Sequence, residues 1–150
     1  MALKEQLRAD LTTAIKARDE LSSSTLRMVL TAITNEEVAG KQARQLSDDD
    51  IVKVLSREAK KRREAYDAYT QAGRAELAAR EQAELGVIET YLPQQLTDDE
   101  VNALVRETIA ETGAAGPQAM GQVMKALTPK VAGRADGAKV AAEVRRQLAG

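Results

Sequence analysis

Apolar residues recur along this chain at intervals of three and four, the spacing that puts side chains on one face of a helix. Leu3, Leu7, Leu11, Ala14 and Ile15 form a first stripe over residues 2–18. Leu26, Val29, Leu30, Ile33 and Val38 form a second, with Ser22, Ser23 and Ser24 offering N-cap oxygens and Gly40 a C-terminal stop. Residues 40–46 are a short polar loop. Ser47 followed by Asp48, Asp49 and Asp50 is a helix start, a hydroxyl cap with acids at the positive end of the dipole. The third stripe runs Ile51, Leu55, Ala59, Arg62, Tyr66, Tyr69 and stops at Gly73. The fourth is Leu77, Glu81, Leu85, Ile88, Leu92, and Pro93 ends it.

A fresh start follows. Thr97-Asp98-Asp99-Glu100 is a Thr-x-x-Glu capping box, with Leu96 placed as a hydrophobic staple. Its helix carries Val101, Leu104, Val105 and Ile109 and closes at Gly113. Gly116-Pro117 opens another helix, with Met120, Val123, Met124 and Leu127, which ends at Thr128-Pro129. Gly133, Asp136 and Gly137 punctuate the chain before a last stripe of Val140, Val144 and Leu148. The expectation is an all-α protein: a four-helix N-terminal subdomain, residues 1–93, followed by a small three-helix C-terminal subdomain, residues 94–150. No strand pattern and no internal repeat is present.

Composition supports this. Of 150 residues, 43% are apolar and only 2% aromatic, and the strong helix formers dominate. With no cysteine, a disulfide scaffold, a thiolate nucleophile and a cysteine zinc site are excluded. With no histidine, the usual proton shuttle and the commonest metal ligand are missing. The reading is therefore no catalytic residue, no metal and no cofactor. The N-terminus is studded with charge and no apolar run reaches membrane-spanning length, so the expectation is a cytoplasmic protein with no membrane partner.

Charge is uneven. Residues 94–116 hold five acids and one base, Arg106, whereas residues 117–150 hold six bases and two acids. Those bases, Lys125, Lys130, Arg134, Lys139, Arg145 and Arg146, are the candidate RNA-binding residues, because a local positive surface attracts phosphate whatever the net charge. The turn from Gly133 to Gly137 feeds a helix N-terminus, where backbone N–H groups can hold a phosphate; equally, the glycines only turn the chain and Asp136 caps the helix. A second basic run, Lys53, Arg57, Lys60, Lys61, Arg62 and Arg63, reads first as a solvated helix face. The acid pairs Asp48–Asp50 and Asp98–Glu100 are explained by their place at helix starts. Tyr66 and Tyr69 read as core, so RNA contacts would go to backbone and shape rather than stacked bases.

Three stretches resemble the YqeY-like family: Tyr91 through Glu100; Met120 through Lys130 continuing to Gly133–Val140; and Ser56 through Glu64 with Ala72-Gly73-Arg74. Leu26-Arg27-Met28 through Asn35-Glu36 is also similar. The second stretch resembles the C-terminal tail of the B subunit of aspartyl/glutamyl-tRNA amidotransferase. That resemblance implies a helical fold whose tail engages tRNA. Ala141 and Ala142 stand where relatives often place serine, so a hydroxyl role there is not carried over. Nothing in the chain matches the large upstream region that performs amide transfer. The expectation is a non-catalytic module with tRNA or other structured RNA as partner. The alternatives are a helical assembly module with a protein partner, built on the third and fourth helices, and, more remotely, a stand-alone amide-transfer enzyme.

Overall fold

A computed structural model describes residues 2–150. It holds seven α-helices: α1 Leu3–Lys16, α2 Glu20–Glu37, α3 Asp48–Gln71, α4 Ala75–Glu89, α5 Asp98–Thr112, α6 Met120–Val131 and α7 Gly137–Ala149. A single 3-10 turn, Pro117–Ala119, precedes α6. There is no strand among the described residues, and none of the helices is long and apolar enough to cross a membrane.

The chain divides into two compact units, the first ending at Leu92 and the second running Pro93–Gly150. Helices α1–α4 make the first unit around Leu7, Leu26, Val29, Ile33, Ile51, Val54, Leu55, Ala59 and Ile88. Helices α5–α7 make the second around Val101, Val105, Val123, Leu127, Val131, Val140 and Val144. The second core is almost all valine and leucine. Such short side chains let three small helices approach closely without aromatic filling.

Both capping boxes form. The Ser47 hydroxyl accepts from the Asp50 amide at 3.1 Å, and the Thr97 hydroxyl accepts from the Glu100 amide at the same distance. Asp50 and Glu100 reach back to the amides of Ser47 and Thr97, which holds both carboxyls below the usual range. The two acid pairs noted in the sequence are accounted for in this way. Asp48 adds a bond from the Leu3 amide at 3.1 Å, joining α3 to the start of α1. Gly113 ends α5 at φ 66°, a left-handed conformation that a Cβ would strain.

Five local expectations are corrected. Helix α2 begins at Glu20, because Asp19 rather than a serine caps it, accepting from the Ser22 amide at 3.1 Å. The same helix ends at Glu37, and Gly40 is not its stop: the Arg44 amide returns to the Glu37 carbonyl at 2.9 Å. The buried stripe of α3 turns toward Val54 and Glu58, leaving Tyr66 and Tyr69 half-buried, while Tyr91 packs on the first core. On α4 the buried positions are Ala78, Glu84 and Ile88, with Leu77 42% exposed. The cause for both helices is Arg62, whose buried charge draws Glu58 and Glu84 inward with it. Finally, α6 runs through Pro129 to Val131. Proline removes one amide and costs the Lys125 carbonyl its donor, but Lys125 and Pro129 are both exposed, where water can serve that carbonyl. The extra turn buries Val131.

Candidate nucleic-acid interface

Helices α6 and α7 each turn a valine–leucine edge inward, Val123, Leu127 and Val131 on one and Val140 and Val144 on the other. The positions left outward on these helices carry Lys125, Lys139, Arg145 and Arg146, all exposed. On α7, Lys139 and Arg146 lie two turns apart on one line of the helix, with Arg145 flanking them. Among the described residues, no ion pair engages Lys125, Lys139 or Arg145, so their charge faces solvent. Helix α5, in contrast, exposes Asp98, Asp99, Glu100, Glu107 and Glu111. The alternation of sign along the sequence thus becomes an acidic helix and two basic ones within a single small unit.

The other cations of the set are ion-paired or hydrogen-bonded within the unit. Lys130 is half-buried; its ammonium pairs with Glu111 at 2.8 Å and donates to the Thr108 hydroxyl at 3.2 Å, bracing α6 against α5. Arg134 is half-buried as well. Its Nε donates to the Gln94 carbonyl at 3.0 Å, while its own carbonyl accepts from the Leu96 amide at 2.8 Å. Gln95 completes this clasp by donating from Nε2 to the Gly133 carbonyl at 2.8 Å. Arg146 lies against Glu143 through Nε at 3.0 Å. That guanidinium, helped by Gln147, pulls the Glu143 carboxyl down to about 2. Gln147 also donates to the Asn102 carbonyl at 3.0 Å, tying α7 to α5.

The turn before α7 does not present a free helix end. The Asp136 carboxylate accepts from the Ala138 amide at 3.0 Å, placing a negative charge where a phosphate would sit. Of the two readings of the Gly133–Gly137 turn, capping is the one the geometry carries. Gly133, at φ 71°, turns the chain.

In the first unit, acids balance part of the basic run on α3. Arg57 pairs with Glu36 at 3.2 Å, Lys61 with Glu58 at 3.0 Å and Lys60 with Glu64 at 4.0 Å. Arg62, on this run, is instead buried in a charge network. It meets Glu58 at 2.8 Å and Glu84 at 3.5 Å; Glu84 meets Arg80 at 3.1 Å, and Arg80 reaches Glu20 at 2.9 Å. Arg62 stands on the apolar stripe of α3, a position at which a buried cation needs a counter-charge. The signal was there: a cation at a stripe position, with Glu58 one turn before it. A cleft of about 340 Å³ also lies in this unit, lined by Asp10, Thr13, Ser22, Leu26, Val87 and Tyr91 among others. Among the described residues, no group of three or more acids is arranged to hold a metal ion.

Comparison with known proteins agrees with the resemblance. The family described as Yqey-like protein matches residues 4–148. A protein of Lachancea thermotolerans named Altered inheritance of mitochondria protein 41, mitochondrial, is 27% identical over 74% of this chain and 60% of its own length. The protein of the same name from Saccharomyces cerevisiae is 32% identical over 64% of this chain and 51% of its own length. An uncharacterised protein of Schizosaccharomyces pombe is 29% identical over 64% of this chain and 76% of its own length. The match thus spans between half and two thirds of the two relatives that carry the mitochondrial name. With nearly every residue inside the family match and the three motif stretches in place, the chain belongs to the YqeY-like protein family.

Proposed function

We propose that the α5–α7 unit is a non-catalytic RNA-binding module that grips the phosphate backbone of a structured RNA, with tRNA as the RNA that the likeness to the amidotransferase B-subunit tail favours. The observation that carries this reading is the separation of charge within the unit. Among the described residues, Lys125, Lys139 and Arg145 stand exposed with no ion pair on α6 and α7, while α5 exposes five acids and one base, Arg106. One face would attract phosphate and another repel it, so the bound RNA would meet the unit in a preferred orientation. Three aromatic residues in the chain leave little for base stacking, which favours recognition of backbone and shape.

Each phosphate contact releases condensed counterions, so affinity for folded tRNA should fall steeply as salt is raised. Replacing Lys125, Lys139 and Arg145 together by Ala should weaken binding and flatten the log–log salt slope by roughly one unit per lost contact, with little change in melting temperature. Replacing Lys130 and Arg134 should act differently. Both are bonded within the fold, so this pair should lower the melting temperature as well. The Lys53, Arg57 and Lys60 triple should leave binding near that of the parent protein. Absence of binding to tRNA in low salt, or tight binding indifferent to salt, would favour the assembly-module reading instead.

A further inference from the structure

Met28 lies on α2 with 39% of its surface exposed, and its sulfur sits 3.5 Å from Nη2 of Arg62 on α3. A thioether is a weak acceptor. The rest of the Arg62 guanidinium is better served but not fully. Nη1 donates to Glu58 Oε1 at 2.8 Å, whereas Nε, 3.5 Å from Glu84, makes no hydrogen bond although the side chain is only 8% exposed. A buried guanidinium with donors to spare thus faces a methionine that solvent can reach. We propose that Met28 is a site of reversible oxidation by hydroperoxides, and that Arg62 holds the resulting sulfoxide, tying α2 to the α3–α4 charge network.

The chemistry is a two-electron oxygen transfer. A sulfur lone pair attacks one peroxide oxygen, the S–O bond forms as the O–O bond breaks, and the departing oxygen leaves as water from hydrogen peroxide. Sulfur is oxidised and the peroxide reduced. Sulfoxide ordinarily disrupts packing, because it makes an apolar side chain polar. At Met28 the new oxygen, a strong acceptor, would arise beside a cationic donor that now has only sulfur. Met120 and Met124 differ: both pack against the valine–leucine core of the second unit, where an added oxygen would cost packing. This inference concerns the α1–α4 unit and does not rest on the RNA reading.

The test is a hydrogen peroxide time course on the full chain, with peptide mass mapping and thermal melts. Met28 should gain oxygen before Met120 and Met124. At the point where, of these three, only Met28 is oxidised, the melting temperature should exceed that of the Met28→Leu variant by roughly 2–5 °C, and methionine sulfoxide reductase supplied with a dithiol, which is oxidised to its disulfide as the sulfoxide oxygen leaves as water, should return it to the starting value. Met28→Gln, which puts a carbonyl oxygen near the same place, should also melt above Met28→Leu; if the two disagree, the oxidised sample decides. Earlier oxidation of Met120 or Met124, or a melting temperature of the oxidised protein at or below that of Met28→Leu, would overturn the proposal.

Discussion

Tyr91 shows how one side chain can tie distant parts of a helical unit together. Its hydroxyl donates to Asp10 across eighty-one positions of sequence, at 2.5 Å, and Asp10 also accepts from Gln6 at 2.9 Å. Burial first, and then the Asp10 carboxylate, push the Tyr91 phenol above its ordinary pKa of 10. The folded protein therefore holds that proton more tightly than the unfolded chain does. The resulting stability is complete below pH 10 and is lost as the pH rises beyond it. Tyr91→Phe should cost about 1 kcal/mol at pH 7, a value kept small by partial exposure. The gap between the two proteins should shrink above pH 10, because phenylalanine has no proton to lose. Thermal melts at pH 7 and 10.5 check this; a gap that widens with pH would refute the assignment. Glu143 has the opposite sign. Arg146 depresses its carboxyl from 4.5 to about 2, so whatever it contributes is present above pH 4.5 and fades as the pH falls toward 2.

Among the helices, α3 and α4 are bound by charge as well as by apolar contact. Removing Arg62 alone would leave Glu58 and Glu84, both under 9% exposed, with cations only at the network's solvent-facing ends, Lys61 beside Glu58 and Arg80 beside Glu84. Arg62→Ala should therefore cost roughly 3 kcal/mol or more. Combining Arg62→Met with Glu58→Gln and Glu84→Gln should recover much of that loss, since no unbalanced charge then remains buried. Urea unfolding of the single and triple variants measures the difference. A single variant as stable as the parent would mean that water already screens the network. The buried faces of α3 and α4 differ from their apolar stripes for the same reason: periodicity counts apolar residues, and the inward positions here are held partly by Glu58, Arg62 and Glu84. Helix ends were more legible. Ser47 and Thr97 sit three residues before the acids that complete their boxes, and no distant residue is needed to form either one.

For the whole molecule, the two cores share no residue, and each starts a helix with its own capping box. We expect each unit to open as its own cooperative unit. Ser47→Ala should lower hydrogen-exchange protection in residues 2–92 by about 1 kcal/mol and leave 93–150 unchanged; Thr97→Ala should do the reverse. Equal loss of protection across the chain in either variant would show one cooperative fold instead. The Arg134–Gln94 clasp makes Pro93–Leu96 part of the second unit, so each substitution has a defined border across which its effect is read.

What the sequence determined by itself is what depends on neighbours within one or two turns. Helix formers and spacings of three and four made the chain all-α, Ser47 and Thr97 started helices, Gly73 and Gly113 ended them, and the motifs around Pro93 and Met120–Lys130 carried the family. Tertiary structure decided whatever depends on residues that meet only after folding. It turned six like-looking cations into exposed Lys125, Lys139 and Arg145 on one hand, and Lys130, Arg134 and Arg146, each bonded to the fold, on the other. It also set Arg62 among Glu58, Glu84 and Met28. A charge pattern records how many cations a segment has, but whether a given cation faces solvent or a carboxylate is set by partners as far away in sequence as Glu111 is from Lys130.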